Sequence, residues 1–330
     1  MNVLFFSSKV YDSTFFNKCN AEFDHKLTYL EVPLNKSTAV LAKGHEAVCI
    51  FVNDEANAEV LQELADQGIR LIALRCAGFN NVDLEAAQKF GMKVVRVPAY
   101  SPHSVAEHTL ALILTLNRKT HRAYNRVKEG NFALNGLMGF DLNGKTVGLI
   151  GLGKIGLVTA QILKGFGCRV LGYDILKRDE FDEIGIEFTD LNRLYAESDI
   201  VSLHCPLTPQ THHIINKESI ARMKKGVMLI NTSRGALVDT KSVIGALKSG
   251  HISYLGIDVY EEEADLFFED LSDRVIQDDV FMRLLSFNNV LITGHQAFLT
   301  SNALESIAAV TLQNISDFEH GRQLENEVKA

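Results

Sequence analysis

The stretch TVGLIGLGKIGLVTAQIL, residues 146–163, indicates the fold of a large part of this chain. It places Gly151, Gly153 and Gly156 in the order GxGxxG, between an apolar run typical of a buried strand and a pattern typical of a helix. The first glycine permits a tight turn, the second lets the backbone approach a pyrophosphate, and the third allows close packing of helix on strand. Free N–H groups at the start of the helix attract negative charge. The stretch therefore predicts a dinucleotide site at a strand-to-helix turn.

A second strand pattern, RVLGYD at residues 169–174, ends in Asp174, which lies 18 residues beyond Gly156. In dinucleotide-binding folds a carboxylate near this spacing accepts hydrogen bonds from both ribose hydroxyls and repels a 2′-phosphate. The alternative is a carboxylate that only caps the turn after its strand. Together with the glycine turn, the spacing favours NAD over NADP as the cofactor.

The rest of the chain predicts the α/β class, because short β-branched runs alternate with helical patterns, as in doubly wound parallel sheets. At 330 residues the chain is long for one hydrophobic core, so two domains are expected. A long helix is predicted over residues 104–127, and a last helix over 301–318 is expected to return to the first domain. Predicted strands are residues 3–6, 27–31, 48–52, 71–74 and 94–97, followed by a second series of six at 146–150, 169–173, 200–204, 227–231, 255–259 and 290–293.

Composition excludes several classes of partner. The net charge is -8, from 33 basic and 41 acidic residues, and no basic run is present, so nucleic acid is not expected as a partner. No apolar run reaches the roughly 18 to 20 residues that span a bilayer, so no membrane is expected either. The five cysteines lack CxxC spacing, which favours reduced thiols over disulfides or a metal site. The N-terminus lacks a signal-peptide pattern, and a cytoplasmic location is expected.

Three strand ends of the second series carry side chains suited to chemistry. Arg234 follows MLINTS, Glu261 and Glu263 follow GIDVY, and His295 follows LITG. Ligands in open α/β sheets bind outside the carboxyl ends of the strands, so these loops can converge. An arginine fork binds a carboxylate, a histidine exchanges a proton near neutral pH, and a carboxylate can orient its ring. With a hydride donor, these groups predict reduction of a 2-oxo acid, although each alone is also typical of a solvated turn.

Seven stretches together resemble the D-isomer-specific 2-hydroxyacid dehydrogenases, and the resemblance covers nearly the whole chain. They are RCAGFNNVDL, VPAYSPHSVAEHTLALIL, GLIGLGKIG, LHCPLTPQTHHIIN, MLINTSRGALVD, GIDVYEEE and TGHQAFLT, in family order. The sequence is most similar to the members that interconvert pyruvate and D-lactate. The resemblance implies that Arg234 binds the substrate carboxylate and that His295, paired with Glu263, is the general acid and base.

The resemblance also implies the binding residues. Backbone N–H groups near Cys76, Ala77 and Gly78 would lie by the substrate carboxylate, and Tyr100 and Phe298 would shape the substrate pocket. The implied cofactor contacts are Gly151, Gly153, Lys154, Ile155, Gly156, Asp174, Cys205, Pro206, Thr211, Thr232, Ser233 and Asp258.

The family arrangement implies a discontinuous substrate domain around a central NAD domain. The flavodoxin-like substrate domain would comprise residues 1–99 and 299–330, and the inserted Rossmann NAD-binding domain residues 100–298. Dimerisation in the family usually uses the central domain, so a homo-oligomer, a dimer or a tetramer, is expected.

Two interpretations stay open beside pyruvate reduction. The same mechanism would serve phenylpyruvate, 2-oxoisocaproate, hydroxypyruvate or glyoxylate, and some relatives with this fold are NAD-sensing binding proteins rather than enzymes. An acidic segment over residues 264–281, ADLFFEDLSDRVIQDDVF, is longer than in hydroxypyruvate reductases. Its Leu266, Phe267 and Phe268 could pack near the substrate cleft, but a surface loop is the preferred interpretation.

Overall fold

A computed structural model describes residues 1–263 and 266–330 of the chain. Ala264 and Asp265, the first two residues of the acidic segment, lie outside the described residues. The chain forms two compact α/β units, each built on a parallel sheet, which confirms the predicted fold class. Unit 1 comprises Met1–Ser101 and Leu299–Ala330, and unit 2 comprises Pro102–Phe298. Within the described part of the chain no helix is long and apolar enough to cross a bilayer.

The strands and helices alternate along the chain. The strands are β1 (Asn2–Phe5), β2 (Lys26–Tyr29), β3 (Ala47–Ile50), β4 (Leu71–Leu74), β5 (Lys93–Val95), β6 (Thr146–Ile150), β7 (Arg169–Tyr173), β8 (Glu187–Phe188), β9 (Ile200–Leu203), β10 (Val227–Asn231), β11 (Ile252–Ile257) and β12 (Val290–Ile292). The α-helices are α1 (Val10–Asn20), α2 (Ala58–Asp66), α3 (Leu84–Lys89), α4 (Pro102–Arg118), α5 (Thr120–Lys128), α6 (Lys154–Gly165), α7 (Asp179–Ile184), α8 (Leu191–Glu197), α9 (Lys217–Arg222), α10 (Thr240–Ser249), α11 (Asp279–Leu285) and α12 (Ser301–Glu319).

Unit 1 has a five-stranded parallel sheet in the order β2-β1-β3-β4-β5. Its central strands β3 and β4 are buried along their whole length and read AVCI and LIAL, as expected for strands covered on both faces. Helix α12 packs against α1 and β4. The C-terminal segment then adds to the sheet edge, where Val328 N donates to Val94 O at 2.8 Å. The last residues of the chain are therefore part of the same core as the first.

Unit 2 has a seven-stranded parallel sheet in the order β12-β11-β10-β9-β6-β7-β8. The sequence predicted six of these strands and missed β8, which has only two residues and no alternation to detect. The strand order reverses between β6 and β9, so a crevice opens at the carboxyl ends of these two strands. The loops that follow β6 and β9 contain predicted cofactor residues, among them Gly151 and Cys205.

The predicted helix over residues 104–127 is wrong in one respect, because it is two helices. Helix α4 ends at Arg118, Lys119 adopts a left-handed backbone with φ of 51°, and α5 begins at Thr120. No glycine or proline marks this break in the sequence. Contacts with a later segment stabilise the break instead. The Lys119 side chain donates to Met138 O, and the Asn117 side chain is hydrogen-bonded to both Phe140 N and Phe140 O.

Candidate active site

The glycine turn between β6 and α6 has the geometry that a dinucleotide requires. Gly151 has φ of 97°, and a Cβ there would lie 2.5 Å from Cys205 N, so only glycine fits. A Cβ on Gly156 would lie 2.1 Å from Gly151 O, whereas a Cβ on Gly153 would meet no atom within 4 Å. Gly153 thus faces the open space that a pyrophosphate would use, and the N–H groups of the first turn, from Lys154 and Ile155 onward, have no partner inside the helix. The turn fits NAD.

Asp174 follows β7 and faces this turn. Its Oδ2 accepts a hydrogen bond from Leu152 N at 2.7 Å, and its Oδ1 accepts one from Ile175 N at 2.7 Å. The carboxylate therefore caps the turn, which was the alternative function considered for it. Each of these oxygens has a second lone pair, so capping is compatible with binding a ribose hydroxyl. Arg178, for which the sequence predicted no role, donates to Leu152 O at the same turn.

The loop after β9 lies on the other side of the crevice. Burial raises the pKa of the Cys205 thiol to about 11, so the thiol stays neutral and acts as a small apolar group. Ser233 Oγ donates to Cys205 O at 2.7 Å, which joins this loop to the one after β10. The Thr211 hydroxyl donates to Pro206 O at 2.7 Å and closes the turn that begins there.

The loop after β10 carries Arg234, next to a close approach between this loop and the loop after β11. A Cβ on Gly235 would lie 2.1 Å from Tyr260 C and O, so glycine alone lets this loop pass the loop after β11. The Thr232 hydroxyl lies 2.9 Å from the Thr109 hydroxyl of α4, and Asn231 Nδ2 donates to Arg234 O at 2.8 Å. The backbone of Arg234 is therefore fixed from both sides. Its guanidinium donates to Ser233 O at 2.7 Å.

His295 and Glu263, predicted as partners, are in direct contact. His295 Nδ1 lies 2.9 Å from Glu263 Oε1, and the other carboxylate oxygen, Oε2, accepts a hydrogen bond from Tyr260 N at 2.9 Å. The His295 side chain is 16% exposed and that of Glu263 is 23% exposed. With Nδ1 held by the carboxylate, Nε2 is the nitrogen left for proton exchange with a ligand. The pair can therefore act as a general acid and base.

Asp258 fixes the loop that carries His295. This residue is fully buried, and its carboxylate accepts hydrogen bonds from Gln296 N at 2.9 Å and Ala297 N at 2.8 Å. His295 N also donates to Asp258 O at 2.7 Å. Asp258, implied as a cofactor contact, is thus a main support of the loop that carries His295.

Two further residues, for which the sequence predicted no role, extend this network. The Thr293 hydroxyl donates to Asp258 Oδ1 at 2.5 Å, and His108 Nε2 of α4 lies 3.0 Å from that hydroxyl. His108 is distant in sequence, and only the packing of α4 beside β12 brings it here. His108 lies within the family stretch VPAYSPHSVAEHTLALIL, but nothing in the residues around it indicates this contact.

The preferred interpretation of Leu266, Phe267 and Phe268 as part of a surface loop is wrong. Phe267 is only 6% exposed and makes an edge contact with Phe281 of α11, with ring centroids 5.9 Å apart. Leu266 and Phe268 are partly buried against the same core. The apolar triplet packs because α11 presents an apolar face beside it, which the acidic composition of the segment concealed.

The other implied substrate residues are divided between the units. Ala77, Gly78 and Tyr100 belong to unit 1, whereas Phe298 is the last residue of unit 2 and is 7% exposed. Arg96 donates to Ala77 O at 2.8 Å, and the Cys76 thiol lies 3.3 Å from Gly78 O. These contacts fix the loop that follows β4.

A buried charge cluster stands behind this loop of unit 1. Arg75, at 2% exposed, lies with its Nε 3.3 Å from Asp12 Oδ1 and donates from Nη2 to Ser7 O at 2.8 Å. Ser7 in turn donates to Asp54 Oδ1 at 2.7 Å. The cluster ties together the chain segments that leave β1, β3 and β4.

A glycine turn at the switch point of a parallel sheet, an acid after the next strand and a His–Glu pair at the same edge define a dinucleotide-dependent dehydrogenase. The chain belongs to the D-isomer specific 2-hydroxyacid dehydrogenase family, whose NAD binding domain matches residues 110–297. This match confirms both the resemblance and NAD as the cofactor.

Individual relatives cover the whole length of the chain. It is 53% identical to D-lactate dehydrogenase of Escherichia coli, over 99% of this chain and 100% of that protein. It is 54% identical to a 2-hydroxyacid dehydrogenase homolog of Haemophilus influenzae, over 99% of both chains. Among solved structures, the pyruvate reductase of Chlamydomonas reinhardtii superposes with a TM-score of 0.94 at 48% identity, covering 99% of this chain and 98% of that one.

Proposed function

We propose that this chain is an NAD-dependent D-lactate dehydrogenase, which reduces pyruvate to D-lactate with NADH and catalyses the reverse reaction. The observation that carries the proposal is the 2.9 Å contact between His295 Nδ1 and Glu263, at the carboxyl edge of a sheet with a dinucleotide turn. Relatives named D-lactate dehydrogenase and pyruvate reductase, at 53% and 48% identity, support the choice of substrate.

The proposed mechanism assigns one task to each residue. Arg234 binds the substrate carboxylate with two parallel hydrogen bonds, helped by the backbone N–H groups of Ala77 and Gly78. His295 donates the proton on Nε2 to the ketone oxygen, while Glu263 holds Nδ1 and stabilises the positive charge of the ring. When bound, NADH supplies the hydride that adds to the 2-oxo carbon. In lactate oxidation His295 takes the proton back.

We assign the cofactor to unit 2 along the crevice between β6 and β9. Gly151, Gly153, Lys154, Ile155 and Gly156 would hold the pyrophosphate, and Asp174 would bind the adenosine ribose. The remaining contacts would come from the loops after β9, β10 and β11, through Cys205, Pro206, Thr211, Thr232, Ser233 and Asp258. Unit 1, with residues 1–99 and 299–330, is proposed as the substrate domain.

An aromatic pair supports a small substrate. The family resemblance assigns Tyr100 and Phe298 to the pocket for the substituent on the 2-oxo carbon, and the Phe298 side chain is 7% exposed. Two rings leave less volume than two aliphatic residues, which favours the methyl group of pyruvate. The alternative substrates are the larger acids phenylpyruvate and 2-oxoisocaproate, and the polar acids hydroxypyruvate and glyoxylate.

The proposal is tested by NADH oxidation with each of these acids and by the chirality of the product. We expect the highest kcat/KM with pyruvate, and D-lactate as the product. A higher kcat/KM with any other acid would replace pyruvate as the substrate. If none of these acids is reduced, the alternative of an NAD-sensing binding protein would be favoured.

We also propose that the chain forms a homo-oligomer through α5 and the segment that follows it. Helix α5 buries none of its residues, and the apolar side chains of Phe132, Leu134 and Met138 are 74%, 81% and 87% exposed. Several large apolar side chains exposed within one short segment are typical of a protein interface, and a second copy of the chain is the partner that the family arrangement implies.

The oligomer is tested by light scattering after gel filtration. We expect a dimer or a larger even-numbered assembly for the natural chain, and the paired change Leu134→Lys and Met138→Lys should produce monomers. Val275→Lys, at an equally exposed apolar residue elsewhere in unit 2, is the control and should leave the mass unchanged.

A cytoplasmic location is also proposed, and the five free thiols, four of them buried, support it.

A further inference from the structure

The segment that follows Glu263 is tied to the proposed catalytic pair at two points. Leu266 N and Phe267 N donate to Glu263 O at 3.0 and 2.9 Å, while the Glu263 carboxylate contacts His295. Phe267, packed on Phe281, anchors the segment in the core of unit 2. The residue after this anchor, Phe268, is therefore held at a fixed distance from the pair.

Phe268 places its ring against the imidazole of His295. The two ring centroids are 5.6 Å apart, and the ring planes are tilted by 40°. This separation is within the range of favourable contacts between aromatic rings. The phenyl ring therefore occupies one side of the imidazole, while Glu263 occupies Nδ1 and leaves Nε2 for the substrate.

Both residues of this contact have a backbone conformation that L-residues rarely adopt. The φ angle is 70° at Phe268 and 51° at His295. Within the described part of the chain six residues other than glycine have a positive φ, and two of them meet here. Glycine or asparagine would form the same turn at lower cost, and strain of this kind is concentrated at functional sites. The presence of a phenylalanine in this conformation therefore indicates that its side chain has a role at the site.

We propose that Phe268 is a positioning residue for His295, an inference that rests on the proposed function. The Glu263 carboxylate fixes one nitrogen of the imidazole but permits the ring to swing about that hydrogen bond. The phenyl ring blocks this motion on one side, so that Nε2 stays directed at the ketone oxygen. Small errors in the placement of a catalytic group lower turnover strongly, by up to roughly 10²-fold for about 1 Å.

The test compares four variants at one position, measured by kcat and KM for pyruvate, the Kd of NADH and the melting temperature. Phe268→Gly and Phe268→Ala both remove the ring, but only glycine relieves the positive φ. We expect both to lower kcat by about tenfold or more, with the Kd of NADH within about twofold of the natural enzyme. The glycine variant should melt roughly 1 to 3 °C above the alanine variant.

Phe268→Tyr keeps the ring and should retain most of the activity, whereas Phe268→Leu keeps the bulk but not the ring and should lose it. Val275→Ala, at an exposed position of the same segment, is the matched control and should match the natural enzyme in every measurement. A glycine or leucine variant with more than half of the natural kcat would overturn the inference. So would a parallel loss of kcat, NADH affinity and melting temperature, which would identify Phe268 as a structural residue. Failure of the natural chain to reduce any 2-oxo acid would instead overturn the proposed function.

Discussion

At the scale of single residues, the first and third glutamates of a run of three, Glu261 and Glu263, have different tasks. Glu263 contacts His295, whereas Glu261 accepts hydrogen bonds from the Thr240 hydroxyl at 2.7 Å and lies 2.5 Å from His213 Nε2. Glu261 therefore joins the loop after β11 to the start of α10 and is occupied by structural contacts. By residue type alone the run reads as three equivalent acids; the family resemblance pointed to Glu263, and the fold shows that this glutamate contacts the histidine.

Replacement of His295 tests the proposed acid and base. His295→Ala should lower kcat for pyruvate by roughly 10² to 10⁴-fold, because the ketone oxygen loses its proton donor. The Kd of NADH, measured by fluorescence titration, should change little. His320→Ala, at an exposed histidine at the end of α12, is the control for removal of an imidazole. Near-natural turnover in His295→Ala would remove the role.

Replacement of Arg234 tests how the carboxylate is bound. Arg234→Lys keeps the positive charge but cannot form two parallel hydrogen bonds, so the KM for pyruvate should rise by about tenfold or more. Steady-state kinetics at saturating NADH measures the change, and Arg222→Lys on α9 is a matched control away from the site. An unchanged KM would count against bidentate binding by Arg234.

At the scale of elements, the turn between β6 and α6 is a part of the fold that could be predicted from the sequence. The order of the glycines predicted the strand, the turn and the helix because each glycine answers a local requirement of the backbone. The break at Lys119 and the short strand β8 were missed because contacts with Met138 and pairing with β7 produce them. The same limit applies within the site, where His108 reaches Thr293 only through the packing of α4 beside β12.

Two substitutions separate the structural and the binding roles of this turn. Gly151→Ala should destabilise unit 2 severely, because a Cβ would lie 2.5 Å from Cys205 N at a residue with φ of 97°. Gly153→Ala should fold normally, since its Cβ meets no atom, but should weaken NADH binding by blocking the approach of the pyrophosphate. Thermal melting and NADH titration of both variants measure this contrast. Equal melting temperatures for the two variants would contradict the packing argument.

At the scale of the whole molecule, the stability of unit 2 should depend on pH through His204. This residue follows β9, and its Nε2 lies 2.9 Å from the Ser202 hydroxyl. Burial lowers the pKa of His204 to about 4. In the unfolded chain the same histidine would titrate near its usual pKa of about 6.5. The unfolded state therefore binds a proton in the interval between these values, while the folded state does not.

Acidification should consequently destabilise the fold between about pH 6.5 and pH 4. Between pH 7 and pH 5 the loss from His204 should reach up to about 2 kcal/mol in the free energy of unfolding. Urea unfolding at the two pH values measures it, and His204→Gln should show a smaller difference between them than the natural chain. An equal difference in both proteins would show that the acid sensitivity arises elsewhere.

The path of the chain through the two units has a consequence for its synthesis. Helix α12 and the C-terminal segment that follows it complete the core that begins with β1, so the first 101 residues lack part of their packing until these residues leave the ribosome. At about 5 to 20 residues per second, the intervening chain of unit 2 delays this completion by roughly 10 to 40 s. Unit 2, whose residues are contiguous, is free to fold during that interval. We therefore expect the nascent chain to expose apolar surface of its N-terminal part for that time and to depend on chaperones then, although the finished protein would not.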